Sequence, residues 1–162
     1  MVALAAVGCE EPDNGYNTTP DTTIPSLGTP ADNEIWFTTI ENRPLMALNE
    51  AAFDATITDI EYSEFGSNII RFDKTLTTIG EEAFYDCRNI SNISLPAMVS
   101  TIGDNAFAEC TNLECMTIGD KITKMGRKAF DNCIALHSLH VPSVGDWCNI
   151  EFADHYANPL NH

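Results

Sequence analysis

Cys87, Cys110 and Cys133 recur at one constant interval, with Cys115, His137, His140 and Cys148 placed among and after them. Thiols and imidazoles can bridge, hold zinc or attack a carbonyl carbon, so each chemistry is tested against the spacing. Zinc is a poor fit, because Cys133, His137 and His140 run C-x3-H-x2-H rather than in the usual ligand pairs. A nucleophilic thiol needs a neighbouring cation or imidazole to lower its pKa, and Cys115 has only His140 as a candidate. The chain has no G-x-S-x-G, no H-E-x-x-H and no phosphate-cradling glycine loop. The residues therefore point to no enzyme, no metal site and no cofactor.

The recurring cysteine is one position of a larger unit. Leu76, Ile79, Gly80, Ala83, Phe84, Cys87, Ile90, Ile93 and Leu95 are followed at the same interval by Val99, Ile102, Gly103, Ala106, Phe107, Cys110, Leu113, Met116 and Ile118. A third pass gives Ile122, Met125, Gly126, Ala129, Phe130, Cys133, Leu136, Leu139 and Val141. Ile93 and Leu95 flank polar Ser94, as in a strand with one buried side. Ala83, Phe84 and Cys87 stand at i, i+1 and i+4, which predicts a helical face. Gly80, Gly103 and Gly126 mark a sharp turn, where a positive φ or close packing would exclude a Cβ. One unit has too little apolar area to stand alone, so the copies must stack, with strands pairing in parallel. Stacking turns the three cysteines into an inward-facing column of thiols. Equivalent atoms of successive coils point the same way, which disfavours disulfides.

The phrase IG..AF..C..L..I.I resembles the BspA-like leucine-rich repeat family of bacterial surface proteins, most clearly over 76–142. The resemblance implies an α/β repeat solenoid: a right-handed coil with a parallel sheet on one face and short helical segments on the other. Asn33 to Thr39 looks like the opening strand of a cap. Ala52-Phe53 looks like a degenerate first unit, and Ile70 and Phe72 begin the stack within a cap region of 33–75. Residues 143–162 resemble a variant unit common in the family. That unit leaves the last coil thinly covered, an opening for dimerisation.

The first nine residues, MVALAAVGC, resemble the end of a bacterial lipoprotein signal, with Cys9 as the lipidated residue. Glu10, Glu11 and Asp13 after it resemble an export tag for the outer face of the outer membrane. Residues 10–32 hold four prolines, five carboxylates and no Lys or Arg. They cannot bury enough apolar surface to offset ordering, so they read as an extended, disordered tether. The expected location is the extracellular face of the bacterial outer membrane, with the lipid as the sole membrane contact. A net charge of −16 excludes nucleic acid as a natural partner.

The outward strand positions in repeat register are Ile69 and Arg71, Asn92 and Ser94, Cys115 and Thr117, then Ser138 and His140. This small, polar row is the candidate binding face, because a solenoid presents equivalent positions as one surface. Lys121, Lys124, Arg127 and Lys128 form a basic cluster where earlier copies are acidic. The family resemblance implies adhesion to a host extracellular-matrix protein, to another cell-surface protein, or to a glycan. The alternative is a structural subunit of a carbohydrate-handling surface complex.

Overall fold

Each unit is built to leave its backbone groups pointing at the next. The computed structural model describes residues 27–63 and 67–161, together with the backbone of Val2–Leu4. The strands are β1 (Val2–Leu4), β2 (Glu34–Thr39), β3 (Ile57–Glu61), β4 (Asn68–Phe72), β5 (Thr78–Ile79), β6 (Ile90–Ser94) and β7 (Thr101–Ile102). After them come β8 (Cys115–Thr117), β9 (Lys124–Met125), β10 (Ser138–Val141), the one-turn helix α1 (Val144–Cys148) and β11 (Glu151–Phe152). A seven-stranded sheet runs β1-β10-β8-β6-β2-β4-β3, and a four-stranded sheet runs β11-β9-β7-β5. The longer strands β6, β8 and β10 pair in parallel, each one repeat on from the last, Ile93 on Met116 and Met116 on Leu139. The two-residue strands stack likewise, Ile79 on Ile102 and Ile102 on Met125. The chain is thus a parallel β-solenoid, and the core lies between its two sheets.

The repeated apolar positions fill that core. Phe84 and Phe107 stack with centroids 5.1 Å apart, Phe107 and Phe130 at 5.4 Å, both with planes 6° from parallel. Each such pair contributes about 0.5–1.5 kcal/mol beyond its burial. Cys87, Cys110 and Cys133 are fully buried beside them. The column is more than apolar filler: Cys110 Sγ donates to the carbonyl of Phe84, and Cys133 Sγ to that of Phe107, both at 3.1 Å. Burial pushes the Cys133 thiol up to about 12, so it stays protonated.

The segments expected to be helical are not helices. Glu82 and Asp86 adopt left-handed backbone (φ 56° and 59°), as do Asn105 and Glu109, then Lys128 and Asn132. A residue there ends any helix, and the amides bond to the next coil instead of to position i−4. Glu82, Phe84 and Asp86 donate to the carbonyls of Asp104, Ala106 and Ala108 at 3.0, 2.7 and 2.9 Å. Asn105, Phe107 and Glu109 repeat this one coil on, to Arg127, Ala129 and Asp131. The i, i+1, i+4 pattern arose because two successive tight turns also return Phe and Cys to the same side.

Close packing, and not positive φ, explains the repeated glycines. A Cβ on Gly103 would lie 2.7 Å from the amide nitrogen of Glu81 and from the carbonyl carbon of Gly80. The Gly103 amide itself donates to Ile79 at 2.7 Å, and that of Gly126 to Ile102 at 2.8 Å. Coils meet there backbone to backbone.

The ends depart from the repeat. β4 was expected to begin the parallel stack, but β2 inserts between β4 and β6, antiparallel to both. β3 covers β4 from outside. Asn89, almost fully buried, ties this cap down: its amide donates to Pro44 O at 2.7 Å and its Oδ1 accepts the Met46 amide at 3.0 Å. At the other end the variant unit does close the core. Trp147 is buried against Phe152 at 5.2 Å, and Ser143 caps α1 by accepting the Asp146 amide. Among the described residues, no helix is long and apolar enough to cross a membrane.

Candidate binding surface

The strand register places the expected row on one face but does not leave it open. Ser94, Thr117 and His140 are in line across β6, β8 and β10, and Asn92, Cys115 and Ser138 form the neighbouring line. Ser94 is fully buried, and its hydroxyl donates to Gly28 O at 2.6 Å. Residues 28–32, expected as the end of a free tether, instead fold back over the sheet. The Asp32 carbonyl accepts from Leu76 at 2.9 Å, and Pro30 is buried. Cys115, Thr117 and His140 are also buried, against the expectation of an exposed row. Thr117 Oγ1 and Asn92 Oδ1 have no hydrogen-bond partner among the described residues. Of the expected face, Ile69, Arg71, Asn92 and Ser138 are half-buried.

This arrangement decides the reactivity of two groups. Burial pushes the Cys115 thiol up, with the Ser138 hydrogen bond pulling the other way. A thiol so placed is not a ready nucleophile. Burial pushes His140 down, so its imidazole is neutral at pH 7; Nε2 lies 3.5 Å from Ser138 Oγ.

The more open end of the face lies toward the cap, at Arg71 and Asn92 of the expected row and at Trp36 and Thr38, to which no repeat position pointed. Because β2 inserts beside β6, Trp36 falls opposite both Ser94 and Ile69. Its ring is half-buried, and Nε1 donates to Glu34 Oε2 at 2.9 Å. Glu34 Oε1 also accepts from Arg71 Nε at 3.2 Å, while Arg71 Nη1 reaches Glu61 at 2.8 Å and Asp59 at 3.2 Å. Asn92 Nδ2 donates to Thr38 Oγ1 at 2.8 Å, and Thr38 shares a 2.8 Å hydrogen bond with Ser91. The accessible patch is thus Trp36, Arg71, Thr38 and Asn92. The row's missing aromatic comes from β2, a strand far upstream of the regular coils. The sequence signals for it are the resemblance of Asn33 to Thr39 to a cap's opening strand and the alternation of Ile35 and Phe37 with Trp36 and Thr38.

The basic cluster is exposed and partly neutralised. Lys121 pairs with Asp120 at 3.3 Å and Lys128 with Asp131 at 3.6 Å. The backbone amides of Arg127 and Lys128 donate to the carboxylates of Asp104 and Asp154 at 2.8 and 3.1 Å. These carboxylates clamp one coil to the next. Cys9, the expected lipidation site, lies outside the described residues, as do 10–26 of the expected tether.

The profile of a family described as "BspA type Leucine rich repeat region" matches residues 43–156, in six copies. The chain belongs to this family. The BspA-type match extends on both sides of the three regular units, into the cap and the variant last unit. Among solved structures, the chain is similar to a leucine-rich repeat protein from Bacteroides ovatus with a crystal structure at 1.19 Å resolution. The two are 27% identical over 59% of this chain, with a TM-score of 0.41, and the match spans 25% of that protein's chain. Comparison with curated proteins finds no match. Leucine-rich repeat solenoids serve in general as protein-interaction modules and are typically not enzymes.

Proposed function

We propose that the chain is a lipid-anchored, cell-surface interaction module that adheres to a protein of the host extracellular matrix or of another cell. The observation that carries this reading is the in-register pairing of β6, β8 and β10, which the antiparallel β2 extends into a face ending at Trp36 and Arg71. Trp and Arg are the side chains that most often dominate binding energy, and here both are held by Glu34. Cys9 supplies the anchor, and the acidic residues after it direct export to the outer face of the outer membrane.

The test is binding of the full chain to purified matrix proteins and mucin, immobilised in parallel. Wild type is expected to bind at least one, and Trp36→Ala to weaken that binding about tenfold or more. Metabolic palmitate labelling is expected for wild type and lost in Cys9→Ala. Absence of binding, together with copurification of one bacterial envelope partner, would replace adhesion with the role of an assembly subunit.

A further inference from the structure

Beside the strap of residues 28–32, the corner that follows the long strands encloses a cavity of about 260 Å³. Thr117 lines it, set by the register between Ser94 on β6 and His140 on β10. The Ser94 hydroxyl is answered by Gly28 O, whereas Thr117 Oγ1 is buried and has no hydrogen-bond partner among the described residues. A buried hydroxyl in that state is costly, so a ligand able to reach it gains by pairing it. Leu95, Ala97 and Pro142 supply apolar walls, and the exposed Thr29 and Asp120 stand at the mouth. The corner is not uniform from coil to coil. The coils on either side carry Pro96 and Pro142 where this one has Gly119. Gly119 seats its backbone on that of Ala97, so closely that a Cβ would lie 2.7 Å from Ala97 O.

We propose that this cavity is a binding site for one neutral sugar ring. Charge and size both select that chemistry. The lining has one carboxylate, Asp120, which Lys121 balances at 3.3 Å, and, among the described residues, no cation. Neither an anion nor an ammonium group therefore gains a charge partner there. What remains is two threonine hydroxyls and a carboxylate oxygen, donors and acceptors suited to the hydroxyls of a polyol. The walls at Leu95, Ala97 and Pro142 match the C–H face of such a ring. The volume falls just below the about 300–1,000 Å³ of drug-sized sites, room for a single ring and not for a chain lying flat. Trp36 is not in the lining, so the inference stands whether or not the chain adheres through that patch.

Titration of the full chain with glucose, galactose, mannose and N-acetylglucosamine tests it, read on the amide resonances of Thr117, Gly119 and Asp120. At least one sugar is expected to shift all of them and to saturate at about millimolar concentration, the range open to so small a ligand. Thr117→Val keeps the shape and removes the hydroxyl. Binding of that sugar is then expected to weaken about tenfold, while the sugar-free variant melts no lower than wild type. Asp120→Ala, at an exposed position where folding is not at stake, is expected to weaken it similarly. A disaccharide ending in the same sugar separates two sources: retained binding assigns the end of a glycan chain, and lost binding a free monosaccharide. No shift from any of these sugars overturns the proposal, as does equal binding by Thr117→Val. A lower melting temperature in Thr117→Val also overturns it, by showing that the hydroxyl is already paired within the chain. A stronger response to methylammonium than to any sugar does the same, by assigning the site to cations.

Discussion

In the three regular coils the phenylalanines lie face to face, 6° from parallel, whereas Phe53 of the cap meets Phe84 at 76° and Phe72 at 57°. The same contrast recurs for the thiols. Cys110 and Cys133 find the carbonyl of the preceding phenylalanine, but Cys87 faces the cap, with Asn89 Oδ1 at 4.0 Å. Within the stack the core contacts are copies of one another and follow from translation by one coil. In the cap each contact is made once, by a side chain chosen for that place. Stability in the first region is distributed; in the second it combines apolar contacts made once with a few polar clamps.

The largest expected effect breaks the stack at its centre. Phe107→Ala removes both parallel contacts and should cost about 4 kcal/mol in urea unfolding, against a smaller loss for Phe53→Ala, whose ring is at the rim and tilted. An equal cost for the two would erase the distinction between stack and cap. Gly103→Ala comes next, at about 2–3 kcal/mol, because the new methyl meets backbone of the preceding coil and cannot be relieved by a side-chain rotation. Gly145→Ala, in α1, is its control: its Cβ would meet nothing nearer than Ser143 Oγ at 3.8 Å, so it should be neutral or slightly stabilising.

Asn89→Ala probes the cap. Two hydrogen bonds at a buried site are lost, and about 2 kcal/mol is expected, with hydrogen exchange rising around Pro44 and Met46 and not in the coils beyond Phe107. Asp54→Ala is the mildest, at about 1 kcal/mol because the group is exposed. Burial alone would raise the Asp54 pKa, but the Thr77 hydroxyl and the amides of Thr77 and Thr78 outweigh it and hold it below its ordinary 3.8. A carboxyl depressed on folding stabilises above its unfolded pKa and loses that contribution as pH falls through the folded one. The difference between wild type and Asp54→Ala should therefore be constant from neutral pH down to the unfolded value, about 4, and shrink progressively as pH falls further through the folded value. A final contrast is chemical: Cys148 is exposed and should react with a thiol reagent in the native state, while Cys87, Cys110 and Cys133 react only on unfolding.

The regular stack was legible because translation writes itself into sequence: nine positions repeat, and each repeats for a contact made between coils. The misreading of turns as helices shows the limit of that signal. Spacing reports which side chains share a side, but not which carbonyl an amide chooses, and the left-handed residues Glu82, Asn105 and Lys128 are not of one type. The binding face was harder still. Its row of positions is where the register puts it, yet whether Ser94 meets water depends on Gly28, and whether an aromatic joins it depends on where β2 inserts. Alternation announces a strand; nothing in it names the neighbours.

The backbone-to-backbone approach at Gly103 and Gly126 has a consequence for length. Because each coil greets the next with the same surface it received, a duplicated unit could be spliced between two coils without disturbing either side. The molecule would grow by about 4.8 Å per duplication, its breadth and interior unaltered. Such a scaffold can be measured out to suit its target, one identical increment at a time.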